Sequence, residues 1–152
     1  MDQQSIAVRQ ATILELDHIA PLFDMYRQFY RKPPDLDLAR RFLRDRFEHN
    51  QSIIFLATSG DGAAAGFAQL FPSFSSASAA RILILNDLFV LPEVRRTGVG
   101  SQLLAAAAEF GRAMGAVRLT LATEITNEPA QAVYESAGWK RQTDFYVYNF
   151  LL

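Results

Sequence analysis

The run "RILILNDLFV", Arg81 to Val90, constrains this chain more than any other stretch. From Ile82 to Leu85 every residue is apolar, and no polar side chain intervenes until Asn86 and Asp87. A strand with one wet face alternates apolar and polar residues, because successive side chains point to opposite faces. An unbroken apolar run is what a central strand covered on both faces needs. Such a strand requires helices on both sides of its sheet, and the sequence supplies them. "TILELDHIAPLFDMYRQFY" has helical spacing at Ile19, Leu22, Phe23, Tyr26 and Tyr30, with Thr12 or Asp17 as its cap. "RKPPD" breaks that helix. A second is predicted from Asp37 to about His49, started by Asp35 or Asp37, with Leu38, Phe42, Leu43 and Phe47 on one face. A third reaches about Met114 and ends at Gly115, and a fourth, "EPAQAVYESAG", follows Asn127.

The remaining segments read as strands. "IAVRQA" alternates as a short strand should, and "SIIFLATSGDGAAAGFAQLF" is an antiparallel hairpin around a Ser-Gly-Asp-Gly turn. "PSFSSASAA" reads as a loop, "VRLTLAT" as a further strand, and two strands, near Trp139 and from about Tyr146 to Leu152, close the chain. No internal repeat or linker interrupts residues 1–152, so a single mixed α/β domain is expected. A chain of 152 residues buries roughly 70% of its unfolded surface on folding, enough for one core.

Charge and composition exclude several functions. The formal net charge is -1 and the basic residues are dispersed, so no nucleic-acid partner is expected. No apolar stretch approaches the roughly 20 residues that span a bilayer, and "MDQQSIAVRQ" lacks the apolar core of a signal peptide, so a cytoplasmic protein without membrane contact is expected. There is no cysteine, which removes disulfides, thiolate metal sites and a covalent cysteine nucleophile. His18 and His49 lie far apart without ligand spacing, so no metal is expected.

After the apolar run comes "VRRTGVGSQLL", Val94 to Leu104. The first four N–H groups of a helix have no partner within it, and the helix dipole adds positive charge there, so the site suits an anion. Gly98 and Gly100 let the backbone between Arg96 and Ser101 approach a ligand, while Arg95 and Arg96 add full charges; a diphosphate is the obvious guest. Rival phosphate motifs fit poorly, since there is no Gly-Lys-Ser/Thr and Leu103 stands where a dinucleotide fingerprint has its third glycine. Farther on, "NEPAQAVYESAGW" puts Tyr134 seven residues after Asn127, nearly two turns, so both share a helical face about 10 Å apart along the axis. Small Ala130 lies between them, and such a face can follow an elongated ligand.

Together, "DLFVLPEVRRTGVGSQLL" and "NEPAQAVYESAGW" resemble the Gcn5-related N-acetyltransferase (GNAT) superfamily. Its Arg/Gln-x-x-Gly-x-Gly/Ala pattern is met by Arg95, Gly98 and Gly100. Its second motif is met by Asn127, Ala130, Val133, Tyr134, Gly138 and Trp139. "NDLFV" and "NEPA" are most similar to the polyamine and small-amine branch, whose strand usually reads Glu-Asp where this chain has Asn86-Asp87. The resemblance implies a mixed sheet of six to seven strands flanked by about four helices, and acetyl-CoA as cofactor. Its pyrophosphate would sit on amides from Arg96 through Thr97, Gly98, Val99 and Gly100 to Ser101. Its pantetheine arm would pair with the central strand at Leu88, Phe89 and Val90, where a bulge splays that strand from its neighbour, and would be flanked by Asn127 and its helix. The Val90 N–H would be the oxyanion donor.

Acetyl transfer needs the acceptor amine to lose a proton and the departing thiolate to gain one. The resemblance gives the second task to Tyr134, a phenol whose full proton transfer to an alkyl thiolate is uphill by about 2 kcal/mol. Asp87 is the candidate for the first, although an ordinary aspartate is too weak a base to act directly and would orient a water or the bulged strand instead. Adjacent strand residues face opposite ways, so Asn86 and Asp87 share a cleft only if the strand is bulged. Without cysteine, direct transfer in a ternary complex is expected.

By the same resemblance the acceptor site lies among the first helix, "QLFPSFSS" and residues 122–124. Tyr26, Phe29 and Tyr30 are candidates for an aromatic wall, Gln69, Phe71 and Asn86 for lining, and Glu124 and Asp24 for pairing a cation. Three readings stay open: acetylation of a small-molecule primary amine such as a polyamine, lysine-like compound or amino acid; a protein or histone N-acetyltransferase; and a non-catalytic acyl-CoA-binding module. Relatives often dimerise through terminal strands, and "YVYNFLL" is compatible with a homodimer.

Overall fold

A computed structural model describes residues 5–152; "MDQQ", part of the segment read above for a leader, lies outside them. The chain divides into two compact units, the first ending at Ala122 and the second comprising Thr123–Leu152. In the first unit β1 (Ala7–Gln10), β2 (Ile53–Thr58), β3 (Ala64–Ser75), β4 (Ala80–Val90) and β5 (Leu119–Thr120) form one sheet in chain order. All neighbours are antiparallel except β4 and β5, which run parallel. Three helices belong to this unit, α1 (Leu16–Phe29), α2 (Leu36–Glu48) and α3 (Val99–Ala113); α4 (Glu128–Ser136) belongs to the second.

The helix starts follow from local chemistry. Thr12 and Glu15 form a capping box around a short 3-10 turn that leads into α1, and the Asp35 carboxylate accepts from the Leu38 amide at 3.0 Å to open α2. The predicted helical stripe of α1 is buried at Ile19, Leu22 and Phe23, and α2 adds Ala39 and Leu43. They pack with Ile54, Leu56, Phe67 and Phe89 into the main core. Fully burying one such leucine stabilises the fold by about 1.5–3 kcal/mol. The opposite face meets α3: Phe55 packs edge-on to Phe110 at 5.9 Å, and Leu83 and Leu119 crowd Gly111. The apolar run is therefore covered on both faces, as its composition requires.

One irregularity in β4 sets up everything that follows. Gln69 pairs with Asp87 and Leu70 with Leu85, leaving Asn86 as an extra residue. That bulge changes the alternation. Leu83 faces α3, but beyond the bulge Phe89, and with it Asp87, turns to the α1 side. The family-based expectation put a bulge at Leu88–Val90; there the register with β3 is regular, and the bulge lies at Asn86 instead.

Three further expectations are corrected. "PSFS" is not a loop, because β3 runs on through Pro72 to Ser75 opposite Leu83 to Ala80. "VRLTLAT" contributes only Leu119–Thr120 as strand. The closing strands near Trp139 and from Tyr146 to Leu152 are not formed among the described residues, so the sheet has five strands, not six or seven. An apolar, aromatic segment has the capacity to pair, but a strand exists only where another backbone satisfies its N–H and C=O groups.

Within the second unit, the Asn127 side chain caps α4 by accepting from the Ala130 amide at 3.3 Å. Tyr134 and Trp139 lie with ring centroids 6.2 Å apart, and Gly138 (φ 94°) turns the chain after the helix.

Candidate active site

A cavity of about 460 Å³ opens between α1, α2 and the β3–β4 pair. Phe23, Tyr26, Arg27 and Tyr30 line it from α1, and Leu38 and Phe42 from α2. Gln69 and Phe71 line it from β3, Asn86 and Asp87 from β4, and Lys32 from the connection after α1. The bulge is what lets the adjacent residues Asn86 and Asp87 both reach it. Aromatic packing shapes the walls: Phe23 stacks on Phe42 at 5.5 Å, and Tyr26 meets Tyr30 at 4.9 Å.

Asp87 is the chemical centre of this cavity. It is 1% exposed, and donors converge on it: Asn86 Nδ2 at 2.8 Å, Gln69 Nε2, and the Tyr26 hydroxyl, which also lies 3.1 Å from the Asn86 carbonyl. Burial pushes its carboxyl above the ordinary aspartate range, and the three donors oppose that shift without cancelling it. Burial, with the negative charge of Asp87 beside it, raises the Tyr26 phenol, so Tyr26 stays protonated. Two buried polar atoms here have no protein partner among the described residues: Gln69 Oε1, an acceptor, and Arg27 Nη1, a donor.

Five of the eight acceptor-site candidates, Tyr26, Tyr30, Gln69, Phe71 and Asn86, therefore line one cavity with Asp87. Phe29 does not line it and is half exposed, its ring packing on Tyr30. Nor does Asp24, whose carboxylate accepts from Gln28 and from the Asp35 amide. Glu124 belongs to the second unit, where its carbonyl accepts from Gln131. The sequence reading missed Phe23, Arg27, Lys32, Leu38 and Phe42. Arg27 carried a signal, standing one turn from Phe23 on a stripe otherwise apolar; Lys32 carried none.

The start of α3 is built differently. Gly98 (φ 89°) is its N-cap, Arg96 (φ 66°) is also left-handed, and no side chain caps the first amides. A Cβ added at Gly98 or Gly100 would meet nothing within 4 Å, so there is open space beside these two glycines. Val99, almost fully buried, anchors the turn, while the Thr97 hydroxyl is engaged by the Val94 carbonyl at 2.5 Å. Arg95 folds back onto the end of β4, its Nε donating to the Val90 carbonyl at 2.9 Å and its guanidinium lying over the Phe89 ring. Beyond Ile84, β5 does not pair with β4, so within the first unit no strand pairs that edge at Leu88 to Val90, where the Val90 carbonyl is taken by Arg95. A helix start without a side-chain cap, with room beside its glycines and a strand edge that no other strand pairs, fits a ligand with a diphosphate and an amide-bearing arm.

Comparison with known proteins decides the family. Residues 19–139 match the acetyltransferase (GNAT) family. The chain belongs to that family. It is 46% identical over 141 residues to the uncharacterized N-acetyltransferase YhfO of Bacillus subtilis strain 168, covering 93% of this chain and 94% of that one. The crystal structure of a probable acetyltransferase superposes with a TM-score of 0.91 at 41% identity, covering 96% of this chain and 97% of the other. Aminoglycoside N-acetyltransferase AAC(6')-Iy in complex with CoA has the same fold, with a TM-score of 0.82 at 23% identity over 97% of this chain and 95% of its own. This acetyltransferase is thus an N-acetyltransferase with acetyl-CoA as its acetyl donor. No helix among the described residues is long and apolar enough to cross a membrane.

Proposed function

We propose that this acetyltransferase moves the acetyl group of acetyl-CoA to a primary amine of a small molecule, by direct attack while both are bound. The observation that carries this reading is the buried Asp87 carboxylate at an aromatic-walled cavity of about 460 Å³. Acetyl-CoA supplies the activated thioester. Amides from Gly98 to Ser101, with Arg95, Arg96 and Thr97 completing the turn, hold its diphosphate, and the strand edge at Leu88, Phe89 and Val90 aligns its arm, with the Val90 N–H as oxyanion donor. Asn127, Ala130 and Tyr134 of α4 serve the same ligand, and the family match across residues 19–139 supports both units acting as one catalytic domain.

At pH 7 an alkyl ammonium of pKa about 10.4 costs roughly 4.6 kcal/mol to deprotonate, so the acceptor needs a proton route. Ionised Asp87 attracts the ammonium, and the burial that raises its pKa narrows the gap an ordinary aspartate would face, making it a stronger base. Gln69 and Asn86 hold its two oxygens, Tyr26 and Tyr30 wall the amine, and Phe71 closes the β3 side. Tyr134 shares its proton with the departing thiolate.

Tyr134→Phe tests the assignment. It should lower kcat by about 100-fold or more with calorimetric CoA binding intact; unchanged turnover removes the phenol from the mechanism, and failure to bind CoA in the parent protein removes the whole reading. Incubation with radiolabelled acetyl-CoA alone should leave no stable label on denatured protein. We also propose a cytoplasmic homodimer. Its support is the segment from Phe145 to Leu152, whose apolar residues are exposed and form no strand, a composition suited to pairing with a second copy. A monodisperse monomer on sizing would remove that element.

A further inference from the structure

The cavity is lined by two buried polar atoms without a protein partner among the described residues, one an acceptor and one a donor. On the sheet side lie the orphaned Gln69 Oε1 and, beside it, the Asp87 carboxylate, both acceptors, which suit an ammonium. On the α1 side lie Lys32 and the orphaned Arg27 Nη1, both cationic donors. Arg27 follows directly after Tyr26, whose hydroxyl reaches β4, and the Lys32 amide donates to the Arg27 carbonyl at 3.0 Å, so the connection carrying Lys32 is held against the last turn of α1, which carries Arg27. Neither acidic residue nearest in sequence is spent on Arg27: Asp24 accepts from Gln28 and the Asp35 amide, and Asp35 caps α2. Between the two ends the walls are aromatic or aliphatic.

From this arrangement, and resting on the amine-transfer reading above, we infer that the acceptor is an amine that also carries an acidic group, a carboxylate held by Arg27 and Lys32 while its ammonium meets Asp87 and Gln69. A polyamine or an aminoglycoside, with several ammonium groups and no carboxylate, would set a positive charge against the two cations. The dipole at the end of α1 disfavours an anion, but it amounts to about half a charge against two full ones. A guanidinium is also the side chain best shaped to grip a carboxylate. Transfer then forms the N-acetyl amide at the amine, releases CoA thiol, and leaves the acidic group unchanged.

The test is thiol release from acetyl-CoA with matched acceptors: lysine against 1,5-diaminopentane, and 4-, 5- and 6-carbon ω-amino acids against the alkylamines and diamines of equal length. The best carboxylate-bearing acceptor should exceed its matched amines in kcat/KM by about tenfold or more, through KM. Arg27→Gln should collapse that ratio, Arg27→Lys should restore part of it, and Lys32→Ala, at an exposed position, should reduce it less. Unchanged CoA binding by calorimetry certifies that the variants are folded. Preference for the diamines, or an Arg27→Gln ratio equal to the parent's, overturns this inference while leaving amine transfer intact. No turnover of any acceptor with CoA still bound overturns amine transfer and this inference with it.

Discussion

The two sides of the proposed active site are built from different materials. The donor side, at the start of α3 and the end of β4, offers main-chain amides and a strand edge, and its key residues fall between Leu88 and Ser101. The acceptor side is made of side chains drawn from α1, α2, β3 and β4, with a buried carboxylate in a lining that spans Phe23 to Asp87. A backbone site recognises whatever carries a diphosphate and tolerates most changes of side chain. A side-chain site sets which acceptor fits and changes with each substitution. The contrast predicts that the two sides can be damaged separately.

The largest expected effect is on the acceptor side. Asp87→Asn should lower kcat/KM by about 100-fold or more by removing the base, while CoA affinity stays within about twofold. Kinetics and calorimetry on the same preparation check it, and a parallel loss of CoA binding would break the separation. On the donor side, Gly98→Val places a branched side chain at φ 89°, where L residues are strained by roughly 1–2 kcal/mol, and sets it among the uncapped amides. CoA affinity should fall by about tenfold with little change in acceptor KM. If acceptor KM rose equally, the two sides would be one coupled structure.

Legibility in the sequence follows the same division. The donor side could be read because glycines and arginines at fixed offsets are local, and the resemblance rested on them. The cavity was partly legible: Tyr26 and Tyr30 sit on a helical stripe, and the need for a bulge at Asn86-Asp87 followed from strand alternation. Arg27 and Lys32 escaped because a charge near a helix end reads as solvated until the walls that bury its Nη1 are known. The closing strands differ for the opposite reason, since the apolar, aromatic composition from Tyr146 to Leu152 is a local property and pairing is not. The length of β3 was underestimated because Pro72 and the serines read as turn, whereas ten consecutive register pairs with β4 carry the strand through to Ser75.

A medium-sized effect links catalysis to stability. The Asp87 carboxyl is raised by burial, so between the unfolded and folded pKa values the native state binds more protons than the unfolded chain. Stability from this group is therefore greatest at low pH and declines as pH rises through that window. Asp87→Asn removes the titration. The Tm of the variant minus that of the parent should become more positive from below the ordinary carboxylate range to above the raised value, and a flat difference would show that Asp87 is not strained by its burial. In the parent, kcat/KM should fall as pH drops through the raised value, on the acid side and above the usual aspartate range.

The smallest effect probes how the acceptor wall is held. Asp35 caps α2 through the Leu38 amide, and its own amide donates to the Asp24 carboxylate at 2.9 Å, so one residue fixes the connection between the two helices that carry the aromatic wall. Asp35→Ala keeps that amide and loses only the cap, a destabilisation of about 1 kcal/mol that shifts Tm by roughly 2–4 °C in a domain of this size. Leu38 lies in the first turn of α2 and Phe42 one turn further, so loosening the cap moves the wall and not Asp87. Acceptor KM should then rise severalfold at unchanged kcat, with the calorimetric CoA constant unaltered. A fall in kcat of the same size would instead mean that α2 positions the reacting amine and not merely its apolar body, which would extend the side-chain-built half of the site by one helix.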